Sequence, residues 1–120
     1  MPLKKRQVMS ITRDYKETIN ERAGNDAVFT AALLDEAITL FLNDEPDVAR
    51  LVLRDLVNAT IGFEELATEI ERPSKSLHRM LSARGNPTMD NLTKIISILR
   101  NRLGLNIKIH TIPNSLAGTF

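Results

Sequence analysis

GFEELATEIERPSKSLHRMLSARGNPTMDNLTKIISILRNRLG, residues 62–104, is the stretch on which the reading of the fold turns. It spells two short helices across a tight turn, then a basic loop, then a longer helix. A helix over residues 63–70 opens with Glu64 and Glu65, whose charges suit the positive end of the helix dipole. Leu66, Ala67 and Ile70 share one face of it. Pro73 closes the turn at 71–73, because it has no donor to continue a helix and biases Arg72 out of the helical region. A second helix, residues 74–82, turns Leu77, Met80 and Leu81 inward. Lys75, His78, Arg79 and Ser82 then lie together on its other side.

Working outward, the loop Ala83-Arg84-Gly85-Asn86-Pro87 leads to Thr88, a fitting helix cap. Gly85 and Asn86 are residues that tolerate unusual φ values. The helix from 89 to about 103 carries Leu92, Ile95, Ile96, Leu99 and Leu103 at a 3.6-residue period, and Gly104 closes it. Upstream, Pro46 suits the start of a helix over 46–59, with Val48, Leu51, Val52, Leu56 and Ala59 inward and Arg50, Arg54 and Asn58 outward. A helix over 26–43 has Phe29, Leu33, Leu34, Ala37, Ile38 and Phe41 on a broad apolar arc. Asp35, Glu36, Thr39 and Asn43 gather opposite. Residues 12–23 predict a further helix, capped by Thr12 and ended by Gly24, behind a basic leader of ten patternless residues.

Past Gly104 the period changes. Leu105, Ile107 and Ile109 alternate with Asn106, Lys108 and His110, which predicts a strand over 105–112, and residues 113–120 read as a flexible tail. No other segment reads as a strand. One strand cannot satisfy its own backbone, so Leu105, Ile107 and Ile109 are expected to serve dimerisation. The expected architecture is therefore a single all-α domain: a helical extension over 1–44, a core over 45–104, a dimerisation strand and a tail.

At 120 residues the chain can bury one core without staples, and its 42% apolar and 26% charged content is ordinary for a globular domain. It has no Cys, which excludes disulfides, thiol nucleophiles and Cys-based metal sites. The start, MPLKKRQVMSI, lacks the apolar run of a secretory signal, and no stretch reaches the ~20 apolar residues of a membrane span. A cytoplasmic location without membrane attachment is the expectation.

The net charge of +1 conceals a strong segregation. Residues 1–13 carry +4, residues 14–71 carry −10, and residues 72–120 carry +7 with Asp90 as their sole acid. The basic block begins where the second helix of the pair begins. Such a division fits a polyanion on one side and a basic protein partner on the other.

A small-residue-packed first helix, a three-residue turn and a second helix with a basic outer face make a helix-turn-helix pattern. On that pattern Ser74, Lys75 and Arg79 are the expected base readers, since Arg or Lys to guanine is the commonest specific contact; Ser76 and His78 are second choices. Catalysis finds no footing. His78 and His110 have no metal-ligand spacing, and the adjacent pairs Asp35/Glu36 and Glu64/Glu65 point about 100° apart on a helix. No Gly-Lys-Ser/Thr follows Gly85-Asn86-Pro87 to cradle a nucleotide. No metal or cofactor is expected, and the chain reads as a non-enzyme.

The run LATEIERPSKSLHRMLSARGNPTMDNLTKI resembles the λ-repressor/Cro-like domain, with its Leu-Ala, turn, Ser-rich helix start, and basic loop with Asn-Pro-Thr. More narrowly, the chain is similar to addiction-module antidote proteins, the antitoxins of small bacterial toxin–antitoxin pairs. The matching residues are Asn58-Ala59-Thr60-Ile61-Gly62-Phe63-Glu64, Lys75-Ser76-Leu77, Arg79-Met80-Leu81 and Gly85-Asn86-Pro87-Thr88. Two positions depart from the pattern: Glu71 stands where the turn usually has Gly, and Phe63 where repressors often carry a phosphate-binding Gln. The resemblance implies a repressor-like bundle in which Arg84 and the Asn86 backbone meet DNA phosphates. It also implies a homodimer on operator DNA and a small ribonuclease toxin as partner. A free-standing regulator without a toxin, and an adaptor that no longer reads DNA, are the competing readings.

Overall fold

The structure is a computed structural model that describes residues 27–117; the expected basic leader, the helix over 12–23 and residues 118–120 lie outside the described residues. Five helices form the body: α1 (Ala27–Leu42), α2 (Pro46–Ala59), α3 (Phe63–Ile70), α4 (Ser74–Met80) and α5 (Met89–Arg102). A single turn, α6 (Asn114–Ala117), follows. The described chain is all-α.

Local chemistry sets the boundaries. Pro46 sits in the first turn of α2 with Asp47 beside it. Thr88 caps α5, its hydroxyl accepting from the Asn91 N–H at 3.1 Å. Three helices end through a residue with positive φ. Asp44 (φ 66°) follows α1, Glu71 (φ 58°) follows α3, and Gly104 (φ 66°) follows α5. In each case the next amide turns back five residues: Glu45 donates to Leu40, Arg72 to Ala67 and Leu105 to Arg100. Gly104 takes this conformation freely, whereas Glu71 takes it with a Cβ present.

All five helices feed one core. Leu34 and Ala37 of α1, Leu53, Leu56 and Val57 of α2, Phe63, Leu66 and Ile70 of α3, Leu77 and Leu81 at α4, and Ile95 and Leu99 of α5 form a single buried cluster. Each fully buried Leu contributes roughly 1.5–3 kcal/mol before conformational entropy is counted. The acids of α1, Asp35 and Glu36, are exposed as their face predicts. Because α1 shares the cluster, no break in the packing falls near residue 44.

Two expectations are corrected. In α2 the deepest face is Ala49, Leu53, Leu56 and Val57, whereas Val48 is 43% exposed and Leu51, Val52 and Ala59 are half-buried. The apolar residues of this helix fill one broad arc, and its packing against α1 and α3 buries the half of that arc that holds Ala49, Leu53, Leu56 and Val57. Residues 105–112 form no strand, and the described residues contain none. A strand exists only within a ladder, and no other described segment supplies one. Instead the segment runs beside α1, with Leu105 half-buried against the core.

Candidate nucleic-acid interface

The second helix of the pair is short, seven residues, and is held by one side. Leu77 is fully buried, Leu81 just beyond it likewise, and Met80 is half-buried against the same cluster. That anchoring leaves Lys75, His78 and Arg79 exposed on the other side, with Ser74 and Ser76 half-buried. Arg84 and Asn86 are exposed on the loop that follows. Lys75 and Arg79 are one turn apart and share a face.

The loop is fastened to the end of α4 by hydrogen bonds that bring Gly85, between Arg84 and Asn86, against the backbone of Arg79 and Met80. The Ser82 hydroxyl donates to the Arg79 carbonyl at 2.7 Å, and the Gly85 N–H donates to the Ser82 carbonyl at 3.0 Å. Gly85 is required for closeness: a Cβ there would lie 2.3 Å from the Met80 carbonyl oxygen and 2.5 Å from that of Arg79. Its φ is not positive, and neither is that of Asn86, so the special backbone angles expected of this pair are not what the loop uses.

Arg50 completes the arrangement from α2. Its Nε donates to the Ser82 carbonyl at 2.9 Å and its Nη2 to the Ala83 carbonyl at 2.7 Å. A guanidinium thereby pins the turn just past α4, near the negative end of the helix, where a cation is favoured. The helical period alone turns this residue outward to solvent. The bond to Ser82 bridges 32 residues, and nothing local in the sequence marks it.

Phe63 is the other residue with an unexpected role. Its ring, 5% exposed, stacks on the imidazole of His78 with centroids 3.9 Å apart and planes 21° apart. The stack ties the start of α3 to the last turn of α4 and engages one flat face of His78. Arg102, counted in the basic block, pairs with Glu65 and Glu69 of α3 and is thereby neutralised. The exposed cations that remain in the block are Arg72, Lys75, Arg79, Arg84, Lys94 and Lys108.

Among the described residues no group of three His, Cys, Asp or Glu side chains could hold a metal ion, and no helix is long and apolar enough to cross a membrane. Comparison of the chain with protein-family models, curated proteins and solved structures finds no match.

Proposed function

We propose that the chain is a λ-repressor-like, sequence-specific DNA-binding protein that acts as the antitoxin of a bacterial toxin–antitoxin pair. It works by binding, without catalysis or cofactor, in the cytoplasm. One observation carries the DNA half of this reading: a short helix anchored by Leu77 and Leu81 that exposes Lys75 and Arg79, beside a loop that exposes Arg84. On a duplex, Ser74, Lys75 and Arg79 read base edges, with Ser76 at the margin; His78 braces α4 through its stack on Phe63, while Arg84 and Asn86 meet the sugar-phosphate backbone. A homodimer presents two such helices to half-sites about one helical turn apart.

The toxin half rests on the resemblance to antidote proteins. Its physical support is the exposed acidic set Asp35, Glu36, Asp44, Glu45 and Asp47, which would attract a basic RNA-cleaving partner. A specific observation keeps the adaptor reading in play: the stack on Phe63 engages one face of the exposed His78 ring and ties it to α3.

The test is a titration of the full chain with the DNA upstream of its own coding sequence against random duplex of equal length. Operator preference, with affinity falling by about 10³–10⁵ between 50 and 200 mM salt for roughly six to ten phosphates, supports the reading. Equal binding to both duplexes overturns it. Co-expression with a small basic ribonuclease-like protein encoded beside it separates antitoxin from free-standing regulator: growth rescue favours the former.

A further inference from the structure

Residues 105–112 and helix α1 enclose a groove of about 650 Å³. Ala31, Leu34, Ile38 and Leu42 lie along one wall and the whole 105–112 segment along the other. Burial fades along that segment: Leu105 is half-buried, Ile107 is 37% exposed, Ile109 58% and Ile112 61%, while Leu42 across the groove is 64% exposed. After the Leu105 N–H, which donates to Arg100, no backbone hydrogen bond among the described residues engages 106–112. The groove thus combines apolar side chains with a row of unused backbone donors and acceptors, the combination that adds a strand.

We propose that a second copy of this chain occupies the groove, the two 105–109 segments pairing antiparallel across a twofold axis that passes through Ile107. Two observations favour a twin over another occupant. The groove's formal charges are Asp35 on the α1 wall and Lys108 on the other, so the surface is complementary to itself, as a twofold interface must be. The segment also alternates in a way that pairs with its own reverse.

The register follows from that alternation. Antiparallel side chains directly opposite each other share a face, so the odd-numbered apolar residues must oppose odd-numbered ones. An axis through Lys108 sets two ammonium groups directly opposite, which is destabilising. An axis through Ile109 sets Leu105 against Pro113, which has no donor for the ladder, and Ile107 against Thr111. An axis through Ile107 sets Ile107 against its twin, Leu105 against Ile109, and Asn106 against Lys108. Every apolar residue of 105–109 then meets an apolar residue.

This inference supplies the interface for the dimer that operator binding calls for, and its test uses no DNA, so either can fail alone. The chain has no cysteine, so single-cysteine variants report cleanly. The full chain should sediment as a dimer. Under mild oxidation Ile107→Cys should cross-link most of the protein, because opposed Cβ atoms lie within disulfide reach. Ile109→Cys, four positions from its twin along the ladder, should not. Ile109→Asp, a carboxylate opposite Leu105, should give a monomer with unchanged circular dichroism. A monomeric wild type overturns the proposal. So does a dimer that cross-links through Cys at 108 or 109 but not at 107, or one that Ile109→Asp leaves intact.

Discussion

The imidazole of His78 lies on the ring of Phe63, 3.9 Å between centroids, joining the start of α3 to the last turn of α4. A stacked pair of this kind contributes about 0.5–1.5 kcal/mol beyond its burial. His78→Ala should therefore lower the unfolding free energy by about that amount in a urea titration. Its base preference, measured over a set of operator variants, should stay that of the wild type. A changed preference at one base pair would show that His78 reads DNA instead of bracing α4.

Arg50 should behave as a positioning residue. Its two hydrogen bonds to the carbonyls of Ser82 and Ala83 hold the end of α4 against α2. Arg50→Ala should cost about 1.5–3 kcal/mol of stability, the range for hydrogen bonds to a charged group. Arg50→Lys keeps the charge but has a single flexible donor head, so it should restore only part of that stability. If Arg50→Lys equals wild type in both melting and operator affinity, charge alone accounts for the residue.

Glu71 holds φ 58° at the end of α3, a conformation that strains a residue with a Cβ. Glu71→Gly should stabilise the fold by about 1 kcal/mol, the strain relief exceeding the added freedom of the unfolded chain. Thermal melting would register a rise of several degrees. Gly85→Ala should act in the opposite sense, destabilising by about 1–3 kcal/mol, because its new Cβ meets the Met80 carbonyl at 2.3 Å. A neutral melt for Gly85→Ala would show that the loop can move off α4 without penalty.

The elements that carry their own punctuation were legible in the sequence. Pro46, Pro73 and Thr88 mark helix ends that the structure repeats to within a residue or two, because proline stereochemistry and hydroxyl capping act over a single turn. Glu71 was legible only through the resemblance, which puts it where the turn usually has Gly, and it does hold a positive φ. What stayed hidden is long-range. The rotation of α2 depends on which half of its broad apolar arc α1 and α3 cover. Arg50 looked like any solvated cation until Ser82 and Ala83 arrived beside it through the fold. The alternation at 105–112 states a preference for a strand, yet a single chain offers that preference no partner. Among the expected site residues, Lys75, Arg79 and Arg84 are exposed and near one another because Leu77, Leu81 and Gly85 are fixed. That scaffold had a hydrophobic period and a glycine to announce it.

The division of labour between Arg79 and Arg84 is the sharpest expectation for DNA. Arg79 lies on α4 itself, in the last turn of the helix, and is exposed. Arg84 lies on the loop that Gly85 and Arg50 hold down beside that turn. A helix that enters the major groove brings its outer side chains to base edges, whereas a loop beside it reaches the strand that borders the groove. Arg79→Ala should then cost about 1–3 kcal/mol on the operator and relax the choice of base at one position in each half-site. Arg84→Ala should weaken operator and random duplex by the same factor. It should also flatten the slope of log affinity against log salt by about one for each phosphate that the shortened side chain no longer neutralises. The two variants are to be compared on the same panel of operator substitutions at two salt concentrations. If both lower affinity uniformly, α4 touches only phosphates, and base reading belongs elsewhere. If Arg84→Ala alters preference while Arg79→Ala does not, the loop is the reading element and α4 is its support.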